Sequence, residues 1–145
     1  GTGFTSPDSA STFTIPSAAA KAVTVGAYDA GTGSAAPFSG RGYIVEIGGS
    51  LMVKPELAAP GVNVLVPSVS GMARVSGTSY ATPFVTGSAA LLMEWGIVRG
   101  NDAFLYGEKL KAYLIKGAEP LAGAAVPDTQ TGWGRLCLKN SLPQA

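Results

Sequence analysis

The chain contains no histidine, and this absence limits its chemistry more than any other feature of its composition. Without an imidazole, the 145 residues cannot by themselves complete a Ser-His-Asp triad, a histidine metal site or a histidine general base. The single cysteine, Cys137, excludes an internal disulfide and a cysteine-cluster zinc site. Charged residues make up 13% of the chain, against a usual value of about 25%. With a net charge of +1, the electrostatic argument for a nucleic-acid or anionic-membrane partner is missing.

Long hydrophobic runs are also missing from the sequence. The longest apolar stretch, Ala89–Met93, is interrupted by Glu94 and falls far short of the roughly 18 residues that a membrane span needs. No basic and then apolar leader opens the chain, so no signal peptide is expected. Because 46% of the residues are hydrophobic and so few are charged, we expect much of the apolar surface to be covered by another part of a larger protein.

Two segments have the composition of strands, and two have the composition of helices. Lys21–Tyr28 and Val62–Val66 are rich in apolar and β-branched residues at both odd and even positions, which predicts strands buried on both faces of a parallel sheet. Ser79–Gly96 is apolar or small on nearly all sides, which predicts a helix buried all round. Strands that alternate with helices indicate an α/β layer architecture.

The second helix is predicted to begin with Asn101 or Asp102 as its N-cap and to end at Gly117. Its pattern is amphipathic, with one apolar face and one charged face. The expected buried positions are Leu105, Leu110, Tyr113 and Leu114, and the expected solvent-facing charges are Glu108, Lys109, Lys111 and Lys116.

Ser79 is the residue with the greatest catalytic potential. Its hydroxyl lies where a glycine-containing loop turns into the apolar helix, so the positive end of the helix dipole and free backbone N–H groups lie close to it. Both favour an anion, such as the oxyanion of a tetrahedral acyl intermediate. Pro83 is expected in the first helical turn, where its missing N–H costs little. Taken alone, however, a serine at this place is more often an N-cap than a nucleophile.

The full string Gly77-Thr78-Ser79-x-Ala-x-Pro-x-Val-x-Gly resembles the nucleophile-serine signature of the subtilisin-like serine proteases, or subtilases. Three further segments are similar to motifs of the same family, and all four occur in family order. These are Val23–Asp29 with Phe38–Gly42, Lys54–Val62 and Gly132–Leu136. Together the four motifs cover nearly the whole chain.

The resemblance implies a fold and an activity. The implied fold is α/β, the C-terminal half of a subtilisin-like doubly wound, mostly parallel sheet with helices on both faces. Residues 1–145 would form the C-terminal portion of a subtilase catalytic domain, with residues 1–12 as the tail of an upstream insertion or loop. The implied activity of the intact protein is serine endopeptidase, by an acyl-enzyme mechanism with Ser79 as nucleophile. The family's catalytic Asp and His and its oxyanion Asn precede the matched stretch, so the segment alone is expected to be inactive.

An alternative from another functional class stays open. If the absent half has lost its Asp or His, the same fold would be a non-catalytic pseudoprotease or a protein-binding module. Tyr80 replaces the methionine common in the family beside the nucleophile, and Phe84 replaces a non-catalytic histidine of many relatives. Tyr80 is bulky enough to change the shape of the site.

The remaining expectations concern substrate, cofactor and origin. An ungapped match to the family places Thr14 and Ile15 near the pocket for the substrate residue that precedes the cut. No cofactor or metal is expected in this segment; calcium is left open for the intact protein, because a weak cation site in the family involves the position of Glu56. The expected partners are the N-terminal half of the protease domain and a protein or peptide substrate. The pattern from Met93 to Ile115 is similar to a subset from anaerobic spore-forming bacteria, so the family suggests a secreted, cell-envelope or spore-associated location.

Overall fold

The computed structural model describes residues 5–6 and 8–143. It contains seven strands, three α-helices, a short 3-10 helix at Ile15–Ala18 and a π-helical turn at Glu94–Val98. The strands are β1 (Val25–Asp29), β2 (Ser34–Ala35), β3 (Tyr43–Ile47), β4 (Ser50–Lys54), β5 (Leu57–Pro60), β6 (Val64–Ser68) and β7 (Gly71–Val75). The helices are α1 (Thr78–Met93), α2 (Gly107–Gly117) and α3 (Leu138–Ser141).

The central sheet has the strand order β2-β1-β5. Strands β1 and β5 are parallel, with Val25 opposite Leu57 and Tyr28 opposite Pro60. Parallel pairing needs a crossover, and here the chain between the two strands forms the antiparallel hairpin β3–β4. The other hairpin, β6–β7, leads directly into α1. The mixture of strands and helices confirms the predicted α/β class, with parallel pairing between β1 and β5 and at a bridge from Ala58 to Arg135.

The hydrophobic core lies between the central sheet and helices α1 and α2. Small side chains form the contact between sheet and helix, since Ala27, Ala59 and Ala81 are fully buried there. Leu92 and Leu114 extend the core toward α2. Small residues on both elements allow the start of α1 to approach the sheet closely, and this fixes the position of the loop before it.

The expectation for β1 is confirmed, whereas the second predicted strand begins only at Val64 and is not a buried strand of the parallel sheet. Gly26, Ala27 and Tyr28 are all buried, as a strand covered on both faces requires. Val62–Val66 is not a buried strand, because this stretch enters the hairpin β6–β7, in which Leu65 is 54% exposed. The buried strand next to β1 is Leu57–Pro60, which precedes the predicted one.

Helix α1 is buried on one side only, which corrects the expectation of burial all round. Its buried positions form a single stripe of Ala81, Val85, Ser88 and Leu92. On the other sides Leu91 is 53% exposed, and Phe84 and Gly87 are also exposed.

Helix α2 ends at Gly117 as predicted, but it begins at Gly107, so Asn101 and Asp102 do not cap it. Asp102 instead accepts hydrogen bonds from Lys109 and from the Tyr113 hydroxyl. The Lys109 ammonium, which donates to it, holds the pKa of the Asp102 carboxyl below its usual range. Lys111 was expected in solvent but is only 19% exposed and forms an ion pair with Glu56.

Candidate active site

Ser79 is the second residue of α1, and the preceding loop is tied to the central sheet by two backbone hydrogen bonds. The Gly77 N–H donates to the Gly61 carbonyl at 2.8 Å, and the Gly61 N–H donates to the Tyr28 carbonyl at 3.0 Å. Gly77 has a φ of 154°, a conformation that side chains rarely adopt, so a glycine is needed where the loop turns into the helix. The position of Ser79 is therefore set by β1 through two glycines.

The close approach of α1 to the sheet depends on Gly61. A Cβ at this position would lie 2.6 Å from the Ala27 Cβ, 3.1 Å from the Gly77 oxygen and 3.4 Å from the Ala81 Cβ. All three neighbours are backbone atoms or atoms attached directly to the backbone, so none can rotate away. Glycine at position 61 thus permits the packing that places Ser79.

Ser79 is exposed and borders an open cavity of about 320 Å³. Within residues 8–143, no other group hydrogen-bonds its hydroxyl, so the hydroxyl is free to donate its proton to a base and to react. The first backbone N–H groups of a helix have no partner inside the helix, and they add partial positive charge at this end. The cavity is lined by Pro16, Ser17, Ala22, Val23, Thr24, Val25, Thr78, Ser79 and Thr82.

Pro83 is the sixth residue of α1 rather than part of its first turn, which corrects the expectation for it. In a regular helix the N–H at this position would donate to the carbonyl of Ser79, and proline has no N–H to donate. Thr82, the residue before it, donates its hydroxyl to the Thr78 carbonyl at 3.1 Å.

Thr14 and Ile15 lie beside the Ser79 cavity in sequence but do not line it. Thr14 precedes the short 3-10 helix, and its hydroxyl lies 3.4 Å from the Ser17 hydroxyl. Ile15 is 91% exposed. Pro16 and Ser17, the next two residues, are the ones that face the cavity with Ser79. A substrate-binding role for Thr14 and Ile15 stays a prediction.

A charged cluster behind the cavity wall was not foreseen as part of the site. Thr24, in the wall, donates its N–H to Glu56 at 2.6 Å and its hydroxyl to the Ser17 carbonyl at 2.6 Å. The Lys54 ammonium donates to the Ala22 carbonyl at 2.8 Å and pairs with Glu56. Burial lowers the pKa of Lys54, and Glu56 partly offsets this shift. The signal in the sequence was the Lys-Pro-Glu segment, whose two charges proved to be fully buried.

Comparison with known proteins identifies the family to which this fold and its serine motif belong. The model of the subtilase family matches residues 3–134. The chain belongs to the subtilase family. Its fold is similar to that of the CspB protease of Clostridium perfringens, with a TM-score of 0.78 and 45% identity, covering 88% of this chain and 27% of that one. It is also similar to the self-cleaved protease domain of PatA, with a TM-score of 0.66 and 30% identity over 88% of this chain and 42% of that one. The PII-type proteinase of Lactococcus lactis subsp. cremoris is 38% identical over 67 residues, which is 46% of this chain and 4% of that protein.

This subtilase chain thus spans about a quarter of the CspB protease chain and a small part of the lactococcal proteinase. It carries the serine motif of the family but no histidine. Among residues 5–6 and 8–143, no three His, Cys, Asp or Glu side chains come close enough to hold a metal ion. Tyr80, the bulky residue next to Ser79, is 37% exposed and lines a shallow apolar cavity with hairpin β6–β7.

Proposed function

We propose that this chain supplies the nucleophile of a serine endopeptidase, and that Ser79 is that nucleophile. The observation that carries the proposal is the placement of an exposed serine hydroxyl at the start of a helix anchored to the sheet, within the serine motif of a subtilase. Nucleophilic catalysis needs a reachable hydroxyl, and oxyanion stabilisation needs donors fixed beforehand. The start of α1 offers both.

In the proposed reaction, the Ser79 Oγ attacks the scissile carbonyl and forms a covalent acyl-enzyme. Backbone N–H groups at the start of α1, including that of Ser79, stabilise the oxyanion. The proton of the hydroxyl must pass to a base and then to the leaving amine, after which water attacks the acyl group in the same manner. Because this chain has no histidine, we assign the base and the Asp that orients it to another segment, which also carries the oxyanion Asn.

The partner that we propose for the chain is therefore the N-terminal half of a protease domain. The exposed apolar side of α1, formed by Phe84, Gly87 and Leu91, gives that half a surface to cover.

The 21 residues Thr78–Val98 are also long and apolar enough to cross a membrane, by length and composition. A protein partner explains the helix better, since its buried stripe already packs on the sheet and Ser79 lies at its end.

We further propose that the protein is one of the germination-type subtilases of anaerobic spore formers, with a spore-associated or secreted location. The identity of 45% with the protease from Clostridium perfringens supports this assignment.

The decisive experiment is reconstitution of activity from the two halves. We expect the isolated chain to hydrolyse neither casein nor chromogenic peptides, because an unassisted serine hydroxyl is a poor nucleophile. Co-expression with an N-terminal half that carries Asp, His and Asn should restore turnover and fluorophosphonate labelling, and Ser79→Ala should abolish both. The control is Ser70→Ala, at the exposed turn of the β6–β7 hairpin, which should leave both unchanged.

Two results would contradict the proposal. One is Ser79-dependent turnover by the isolated chain, which would show that another group acts as base. The other is an assembled complex that binds peptides without turnover or labelling, which would favour the alternative of a pseudoprotease or binding module.

A further inference from the structure

Four oxygen atoms converge behind the wall of the Ser79 cavity. They are the carbonyls of Ala20 and Ala22, the hydroxyl of Thr24 and the Oε1 atom of Glu56. One carboxylate surrounded by carbonyl and hydroxyl oxygens is the donor set that hard cations such as Ca²⁺ prefer. The site therefore has the chemistry of a cation site, although only one of its ligands carries a negative charge.

Two lysine ammonium groups fill this space. Lys54 Nζ lies 2.7 Å from Glu56 Oε1, 2.8 Å from the Ala22 carbonyl and 3.3 Å from the Thr24 hydroxyl. Lys111 Nζ, from α2, contacts the same Oε1 and donates to the Ala20 and Ala22 carbonyls at 2.9 and 3.3 Å. Glu56 Oε1 thus forms ion pairs with both ammonium groups.

Calcium does not fit this site as it stands. The second carboxylate oxygen of Glu56 is occupied by the Thr24 N–H, and its first is shared by the two ammonium groups. A metal ion would have to displace both lysines, although the Lys54 side chain is fully buried and is held by Ala22, Thr24 and Glu56. Two ammonium groups also supply the same charge, +2, that a bound calcium ion would bring.

We propose that Lys54 and Lys111 act as a built-in replacement for a structural cation, and that Lys111 is the removable half of it. The two ammonium groups hold residues 20–24 against Glu56, and residues 22–24 of this segment line the Ser79 cavity. Lys111 couples α2 to that wall across 89 residues of sequence. The wall is thus fixed without calcium. The oxygen atoms that Lys111 contacts would be able to bind a cation once its ammonium group is removed.

Replacement of Lys111 tests this proposal directly. Lys111→Met keeps the length of the side chain and removes the charge, so it should expose the Ala20 and Ala22 carbonyls together with one oxygen of Glu56. The protein is studied at its native length, by thermal unfolding in excess EDTA and in millimolar calcium chloride. We expect the wild-type Tm to be the same in both, and the variant to lose several degrees in EDTA and to recover in calcium. The matched control is Lys116→Met, an exposed lysine one turn further along α2, which should respond to neither.

Terbium provides a second readout that does not depend on stability. Trp133 lines the same cavity of about 300 Å³ as Glu56 and Lys111, so a terbium ion bound there would emit on excitation of the indole. We expect indole-sensitised emission from Lys111→Met and none from the wild type, and Trp133→Phe should remove the emission of the variant.

Three outcomes would overturn the proposal. The first is wild-type terbium emission that Trp133→Phe removes, because the site would then accept a metal with both lysines in place. The second is a Lys111→Met variant as stable as the wild type in EDTA. The third is a destabilised variant that calcium does not rescue. If Lys111→Met does not fold, the first test still decides, since it needs only the wild type and Trp133→Phe.

Discussion

Gly61→Ala should destabilise the chain and move the candidate nucleophile at the same time. The new Cβ would lie 2.6 Å from the Ala27 Cβ, whereas ordinary van der Waals contacts are 3.4–4 Å. The overlap is therefore about 1 Å, and to relieve it residue 61 must move away from β1. Its carbonyl accepts the Gly77 N–H, so the start of α1 should move with it. Added methyl groups in a packed core cost about 1–3 kcal/mol of unfolding free energy. For a chain of this size the expected fall in Tm is roughly 3–10 °C.

The matched control for this prediction is Gly87→Ala on the exposed side of α1. No atom lies within 4 Å of a Cβ at that position, so Gly87→Ala should leave stability unchanged or raise it by about 0.5–1 kcal/mol through helix propensity. Both variants can be measured by urea unfolding of the isolated chain. In the assembled protease, a displacement of Ser79 by about 1 Å should lower kcat about 100-fold. Equal unfolding free energies for the two variants would refute the claim that Gly61 sets the distance between α1 and the sheet.

Two further predictions concern the core and the pH dependence. Leu114→Ala removes a side chain that is 1% exposed and should lower the free energy of unfolding by about 2–5 kcal/mol. Leu91→Ala, on the uncovered side of α1, should lower it by less than about 0.5 kcal/mol in the isolated chain. Urea unfolding measures both values, and similar losses for the two variants would contradict the prediction. Asp102 has a lowered pKa because of Lys109, so its stabilising effect is present above the unfolded pKa of about 4 and is lost as the pH falls below it. Asp102→Asn should therefore be less stable than the wild type at pH 7 but should lose less stability between pH 5 and pH 2, and parallel pH profiles would show that the ion pair contributes nothing.

The parts of the structure that sequence reasoning predicted are those encoded by neighbours in the chain. The strand around Gly26–Tyr28, the apolar helix after Gly77 and the end of α2 at Gly117 all follow from local patterns. The placement of a hydroxyl at a loop-to-helix boundary was also readable, because the change from a glycine-rich loop to an apolar run is local. These predictions agree with the structure to within a few residues.

The errors arise where an apolar or charged residue has a partner far away in the sequence. Leu65 and Leu91 are as apolar as core residues, yet both are exposed in this chain, because composition reports burial in a whole protein and not in one part of it. Lys111 has the spacing of a solvent-facing residue on an amphipathic helix. Its ammonium nevertheless reaches Glu56, a residue 55 positions earlier, and no periodicity in either segment indicates that contact.

The order in which the polypeptide emerges during synthesis has a consequence for strand β5. Its first neighbour, β1, is 32 residues earlier in the chain, so that pairing can form early. Its other neighbour is the segment around Arg135, where the Leu136 N–H donates to the Ala58 carbonyl and the Ala58 N–H donates to the Gly134 carbonyl. Contacts between residues so far apart close slowly. One edge of β5, a strand of the same sheet that anchors Ser79, therefore stays open until nearly all of these residues have left the ribosome. During that interval the edge is available to a chaperone or to a second nascent chain.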